Sequence, residues 1–213
     1  MGDELYAGLL PWIVFAVVAR SHGPSTTWAS IAAVITAATL LTVESKPDTG
    51  LRNTLVIAAI GFFLILGAVS LFLARPSGWF AHDARAVSAL GFSAIAFGSL
   101  AFVPITEYYS RPNTRPSEWL TQPFRRVNVL VTLLWGTTFL GIAASHALAA
   151  VVDSHAGFTT LNWVLPIALG AIAAHRTRIC WDDYLDDTAD DPLGRDSLLD
   201  LADDLLRRNS NDN

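Results

Sequence analysis

Six apolar runs, at residues 5–19, 26–43, 54–74, 86–105, 127–152 and 158–174, contain no Asp, Glu, Lys or Arg. These runs constrain the fold more than any motif in the chain. A bilayer's hydrocarbon core is about 30 Å thick and takes about 20 apolar residues of helix to cross. Within it every backbone N–H and C=O must find a partner, so runs of this length are expected to be helical. The chain is 52% hydrophobic and 15% charged, whereas soluble domains are roughly a quarter charged. The runs therefore read as membrane spans and not as core helices of a soluble protein.

The first run is short and contains Pro11. A full crossing is still expected: Gly2 to Gly8 extend it at the interface, Arg20 can snorkel to the headgroups, and Pro11 falls in the first turns, where a missing N–H costs least. MGDELYAG has no basic residue ahead of the run, unlike the positive start of a signal peptide. The expected fold is all-α: a polytopic membrane protein whose residues 1–178 form six transmembrane helices in one bundle. Residues 179–213 follow as an acidic cytoplasmic tail with an amphipathic helix at 196–208.

Lipid gives helices no hydrophobic reason to associate, so faces of small residues that admit close packing mark the contacts. Ala29, Ala33 and Ala37 form such a face in the second run, Gly91, Ala94, Gly98 and Ala101 in the fourth, and Gly170 with Ala174 in the sixth.

Between the fourth and fifth runs lies PITEYYSRPNTRPSEWLTQPFRRVN, residues 104–128, which reads as a membrane-surface loop. Tyr108, Tyr109, Trp119 and Phe124 fit the interfacial aromatic belt, and the arginines fit the cytoplasmic side. With the N-terminus inside, eleven Lys/Arg fall on inner segments and three (Arg20, Arg75, Arg85) on outer loops. The chain is thus expected in the inner cell membrane, multi-pass, with both termini cytoplasmic. Arg111, Arg115, Arg125 and Arg126 are the expected contacts for lipid headgroups or for the tail. Glu107 is placed to form an interfacial ion pair with Arg111, four residues on, or with Arg125 or Arg126.

The absence of ionisable residues from the runs argues against a carboxylate-driven proton or cation transporter, because such residues usually mark those pathways. Four histidines fall on the outer side: His22, His82, His146 and His155 are the candidates for binding zinc or copper or for sensing pH. No pair has the short spacing of a known zinc motif. Asn162 is the expected interhelical hydrogen-bond donor, and with His146 it is the candidate polar site should the protein conduct a solute. The single cysteine, Cys180, excludes an intramolecular disulfide. No phosphate loop, nucleophile elbow or Ser/His/Asp pattern is present, so neither catalytic residues nor a cofactor is expected.

Residues 1–181 carry 11 Lys/Arg against 8 Asp/Glu, a balance of +3, and residues 182–213 carry 3 against 11, a balance of −8. In the tail, Ser197 and Asp200 resemble a capping box, and Arg207-Arg208 suit the last turn of a helix. Leu198, Leu201, Ala202 and Leu205 share one face. So acidic a helix is repelled by anionic lipid, and the leucines are expected to dock on a protein partner or a second copy. Nucleic acid is not an expected partner.

The order of features resembles the intracellular septation protein A family of small bacterial inner-membrane proteins. The resemblance is carried by Leu9-Leu10-Pro11-Trp12-Ile13-Val14-Phe15, the Ala-rich run from Ala29 to Leu41, Val69-Ser70-Leu71-Phe72-Leu73, and Phe124-Arg125-Arg126-Val127-Asn128 ahead of Trp135. It spans most of residues 5–178 in layout. The distance from Asn128 to Trp135 and the long acidic tail depart from the family pattern. The resemblance implies a role in cell division or envelope maintenance through protein contacts, without catalysis. A small-solute or ion permease is the alternative.

Overall fold

The computed structural model describes residues 2–19, 25–43, 53–73, 79–152 and 154–189. Among these there is no strand. The long helices are α1 (Gly2–Val18), α2 (Ser25–Val43), α3 (Thr54–Leu73) and α4 (Trp79–Ser99). A short α5 (Glu107–Ser110) and two 3₁₀ turns, Arg111–Asn113 and Pro116–Glu118, lead to α6 (Gln122–Ala149). The last rod is α7 (His155–Thr159), a π-turn (Thr160–Val164) and α8 (Leu165–Ala189) in continuous succession. The tail helix expected at 196–208, with Leu198, Leu201 and Leu205, lies outside the described residues, as do His22 and the side chain of His82.

Four helices are long and apolar enough to cross a membrane: Thr26–Val43, Thr54–Phe72, Gln122–Ala149 and His155–Asp186. The apolar part of α1, Ala7–Val18, is shorter, about 18 Å of helix. The fourth helix is shifted relative to the expected span, starting at Trp79 and not at residue 86. It was expected to continue to residue 105, but α4 stops at Ser99. Pro104 disfavours helical geometry at the residue before it, and the amides of Leu100, Ala101 and Phe102 bond back to Phe97, Gly98 and Ser99 in a tightening turn. Ser99 Oγ then accepts from the Ile105 amide at 3.2 Å, which turns the chain inward.

Side-chain bonds define two ends of the bundle. At the near end the central segment meets the starts of α1, α3 and α6 and the end of α8. Tyr109 reaches Asn53, and Glu118 accepts from Tyr184. At the far end the Arg85 Nε donates to the Ala19 carbonyl, and the end of α6 meets the π-turn. The Thr27 hydroxyl donates to Ser70 at 3.1 Å, which sets the start of α2 beside the end of α3. Each long rod therefore runs antiparallel to the one before it. α1 packs against α2, α3 and α4; α4 lies along α6; and α6 carries the last rod.

Small residues and aromatic rings make the interfaces. Ala29, Ala33 and Ala37 are fully buried, as expected. In α4 the expected stripe holds only at Gly91, where the Phe62 ring lies in the place of a Cβ. Ala94, Gly98 and Ala101 are exposed, and nothing would lie within 4 Å of a Cβ on Gly98. The packed face is Ala84, Ser88, Ala89, Phe92, Ser93 and Ala96, because close contact with α6 is made by the side that bears Ser93, whose hydroxyl donates to the Gly136 carbonyl at 2.9 Å. Phe97 lies where a Cβ on Gly136 would go, so this glycine admits a ring, not a second backbone. In the last rod Gly170 likewise has open space, whereas Ala173 and Thr177 are buried.

The centre of the first four helices is aromatic. Trp12 stands 4.8 Å from Phe63 and, edge-on, 5.3 Å from Phe92. Phe15 stacks on Phe63 at 5.0 Å and Phe92 on Phe139 at 3.9 Å. Offset and edge-to-face pairs of this kind contribute about 0.5–1.5 kcal/mol each beyond the area they bury.

Candidate functional site

The first part of the central segment, Pro104 to Ser110, is a plug in the near end of the bundle, which corrects the expectation of a surface loop there, whereas Pro112 to Pro123 are largely exposed, as expected. Pro104 to Glu107, Tyr109 and Ser110 are all buried. Its anchor is Asn128, in the second turn of α6 and fully buried. The Asn128 amide donates to the Phe124 carbonyl at 2.9 Å, so its Oδ1 faces the plug. There it accepts from Ser110 and Thr106, each at 3.0 Å. The Thr106 hydroxyl also lies 2.9 Å from the Asn128 carbonyl and 3.0 Å from Thr132 Oγ1. With its one proton committed to Asn128, Thr106 accepts from Thr132. Buried polar groups of this sort are costly unless paired, and here the three hydroxyls and the amide satisfy one another.

Tyr109 sits deeper. It is 1% exposed, and its hydroxyl donates at 2.9 Å to Asn53 Oδ1, which also accepts the Val56 amide at the start of α3. The ring occupies the place a Cβ on Gly8 would take. Phe124 is fully buried against Trp181 and Tyr184 of α8. Tyr109 and Phe124 are thus core residues, not members of an aromatic belt: the plug carries Tyr109 inward, and the end of α8 covers Phe124.

The four arginines divide. Arg111 donates from Nη2 to Glu107 Oε1 at 2.6 Å, the pairing expected from their spacing, and its guanidinium lies 4.9 Å from the Trp119 ring centre. It holds the plug together. Arg115, Arg125 and Arg126 are exposed and are the ones placed for outside contacts. Arg126 lines an open groove of about 600 Å³ between α6 and α8, with Asp183 on the opposite wall.

At the far end the structure brings together the two residues singled out as a polar site. His146 Nδ1 lies 3.0 Å from Asn162 Oδ1. Since the Asn162 amide donates to its own helix at Phe158, its oxygen is the interhelical acceptor, the reverse of the expected role, and His146 donates from Nδ1. The adjacent Ser145 hydroxyl donates to the Leu161 carbonyl. Both contacts fall on the π-turn. Pro166 has no N–H to offer the Asn162 carbonyl, and the helix widens just before it. Arg85 closes the site: its Nε donates to Ala19 at 2.7 Å, and its guanidinium lies 5.0 Å from the centre of Trp163. It ties α1 and α4 to the last rod.

Of the metal candidates, His146 is held through Nδ1 by Asn162, and His155 is exposed at the start of α7. Among the described residues no three His, Cys, Asp or Glu side chains group as a metal site. Arg85, Ser145 and Trp163 were missed as members of the far-end cluster around the π-turn, and Thr106, Ser110 and Thr132 as members of the Asn128 network. The available signal was spacing: Thr106 with Ser110, and Asn128 with Thr132, are each four residues apart and share a helical face. Comparisons of the chain with protein-family models, with curated proteins and with solved structures found no match.

Proposed function

We propose that this chain is an integral membrane protein of the inner cell membrane, with six crossing helices and both termini cytoplasmic. It works by holding other proteins, in cell division or envelope maintenance, and not by catalysis. The observation that carries this reading is the filled centre of the bundle: Trp12, Phe15, Phe63 and Phe92 interlock with 2% exposure or less. A scaffold needs a rigid body of this kind, and a solute path needs polar lining. The resemblance in layout to the septation family points the same way. A deletion strain is expected to show altered cell length or septum placement, with no change in solute uptake. Normal division in that strain would overturn the partner role.

One observation favours the alternative, a small-solute or ion permease. The His146–Asn162 contact lies on an interrupted helix, and discontinuous helices frame the binding sites of many transporters. Reconstitution into liposomes with a panel of solutes separates the readings. Flux abolished by Asn162→Leu would establish the permease.

A further inference from the structure

We propose that the near-end groove between α6 and α8 binds a phospholipid whose headgroup carries a primary ammonium, with Arg126 on the phosphate and Asp183 on the ammonium. The polarity of the groove follows the polarity of such a lipid. On α6 the wall runs from Gln122 and Arg126 to Val127 and Leu130, and on α8 from Asp183 back to Cys180. Both helices thus present their charge towards the near end and their apolar surface towards the middle of the bundle. Leu130 lies about 6 Å deeper along α6 than Arg126, which places an acyl chain against it when the headgroup sits at the mouth.

Arg126 and Asp183 are exposed, and among the described residues neither forms an ion pair. The guanidinium fork matches two phosphate oxygens, and the carboxylate accepts from an ammonium. Tyr184 also lines the groove, but its hydroxyl is given to Glu118 at 3.1 Å, so the two charges do the recognising. One positive and one negative wall suit a zwitterion. An anionic headgroup would meet Asp183 with no cation to offer it. A choline headgroup carries the same net charge as the aminoethyl one but has no N–H to donate. A cavity of about 600 Å³ lies within the range of sites that enclose small ligands.

The inference rests on the helices crossing a membrane and is independent of the proposed partner role. The test is native mass spectrometry of the full chain released from vesicles of phosphatidylethanolamine, phosphatidylcholine and phosphatidylglycerol in equal parts. Phosphatidylethanolamine is expected to be retained about tenfold over phosphatidylcholine, the ratio that one charge-assisted hydrogen bond supports. Asp183→Asn should abolish that preference, Arg126→Gln should lower retention of all three lipids, and Asp182→Asn, an exposed carboxylate on α8 outside the groove lining, should leave the preference unchanged. Equal retention of the two zwitterions, or a preference that survives Asp183→Asn, would overturn the proposal. A photoreactive maleimide on Cys180 should cross-link to lipid. Cross-linking to residues 190–213 or to a second copy would assign the groove to that occupant instead and overturn it. A chain that stays in solution without detergent would defeat the membrane reading itself, whereas a detergent-dependent chain without lipid preference would defeat only the groove.

Discussion

Asn128 shows how a single polar residue in an apolar run can decide the course of a distant segment. Its side chain accepts from Thr106 and Ser110, so removing it deletes two buried hydrogen bonds and leaves those hydroxyls only the backbone carbonyls of Asn128 and Glu107 as acceptors. Asn128→Leu is expected to destabilise the protein by about 1–3 kcal/mol, read as a lower unfolding midpoint in detergent. Thr132→Val deletes only the outermost bond of the network and should cost less. Gly8 tests the other side of the plug. Gly8→Val places methyl groups in the volume of the Tyr109 ring and should cost about 1–3 kcal/mol through overpacking. Because the two residues touch, Tyr109→Leu should recover part of that loss, and a double variant that is merely the sum of the singles would show the contact to be unimportant.

Helix α4 separates two meanings of a small residue. Gly136, on α6, receives the ring of Phe97, whereas Gly98 faces open space. Gly136→Leu is expected to weaken the α4–α6 contact and lower the unfolding midpoint. Gly98→Ala should be neutral or stabilise the protein by up to about 1 kcal/mol, since alanine is the better helix former. The reverse order would restore the stripe Gly91, Ala94, Gly98 and Ala101 as the packing face. Small residues on a helix are visible in sequence, but the direction in which that helix faces its neighbours is not. The same limit applies to the last rod: Pro166 marks a disturbance, yet only the packed structure reveals that it is a π-turn gripped by Ser145 and His146.

For the whole molecule, the bonds at the two ends make the rods alternate in direction, so the starts of α1, α3 and α6 and the end of α8 share one face with the plug. The excess of arginine on that face predicts that it is cytoplasmic. Cys180, near the end of α8, should therefore react with a membrane-impermeant maleimide only after cells are opened, and labelling of intact cells would reverse the orientation. All four arginines were expected as lipid or tail contacts, yet Arg111 is taken by Glu107 and Trp119. Charge reversal at Arg125 and Arg126 should thus leave the plug in place, while Arg111→Glu should loosen it, measured as protease cleavage between residues 111 and 121.

The all-helical character, the positions of most helices within a few residues, and the Glu107–Arg111 pair followed from the sequence by itself, because they depend on local composition and on neighbours along one helix. His146 and Asn162 were also singled out from the sequence, as rare polar residues near or within apolar runs. What only the tertiary structure decided was which polar groups meet. The early end of α4 at Ser99 turns Pro104 to Ser110 inward, and this one change of direction converts Tyr109 from an interface residue to core, and Asn128 from a helix-start residue to the anchor of a buried network. A hydrogen bond between residues twenty or fifty positions apart depends on how whole helices rotate and slide against each other, and no pattern within either helix specifies that rotation.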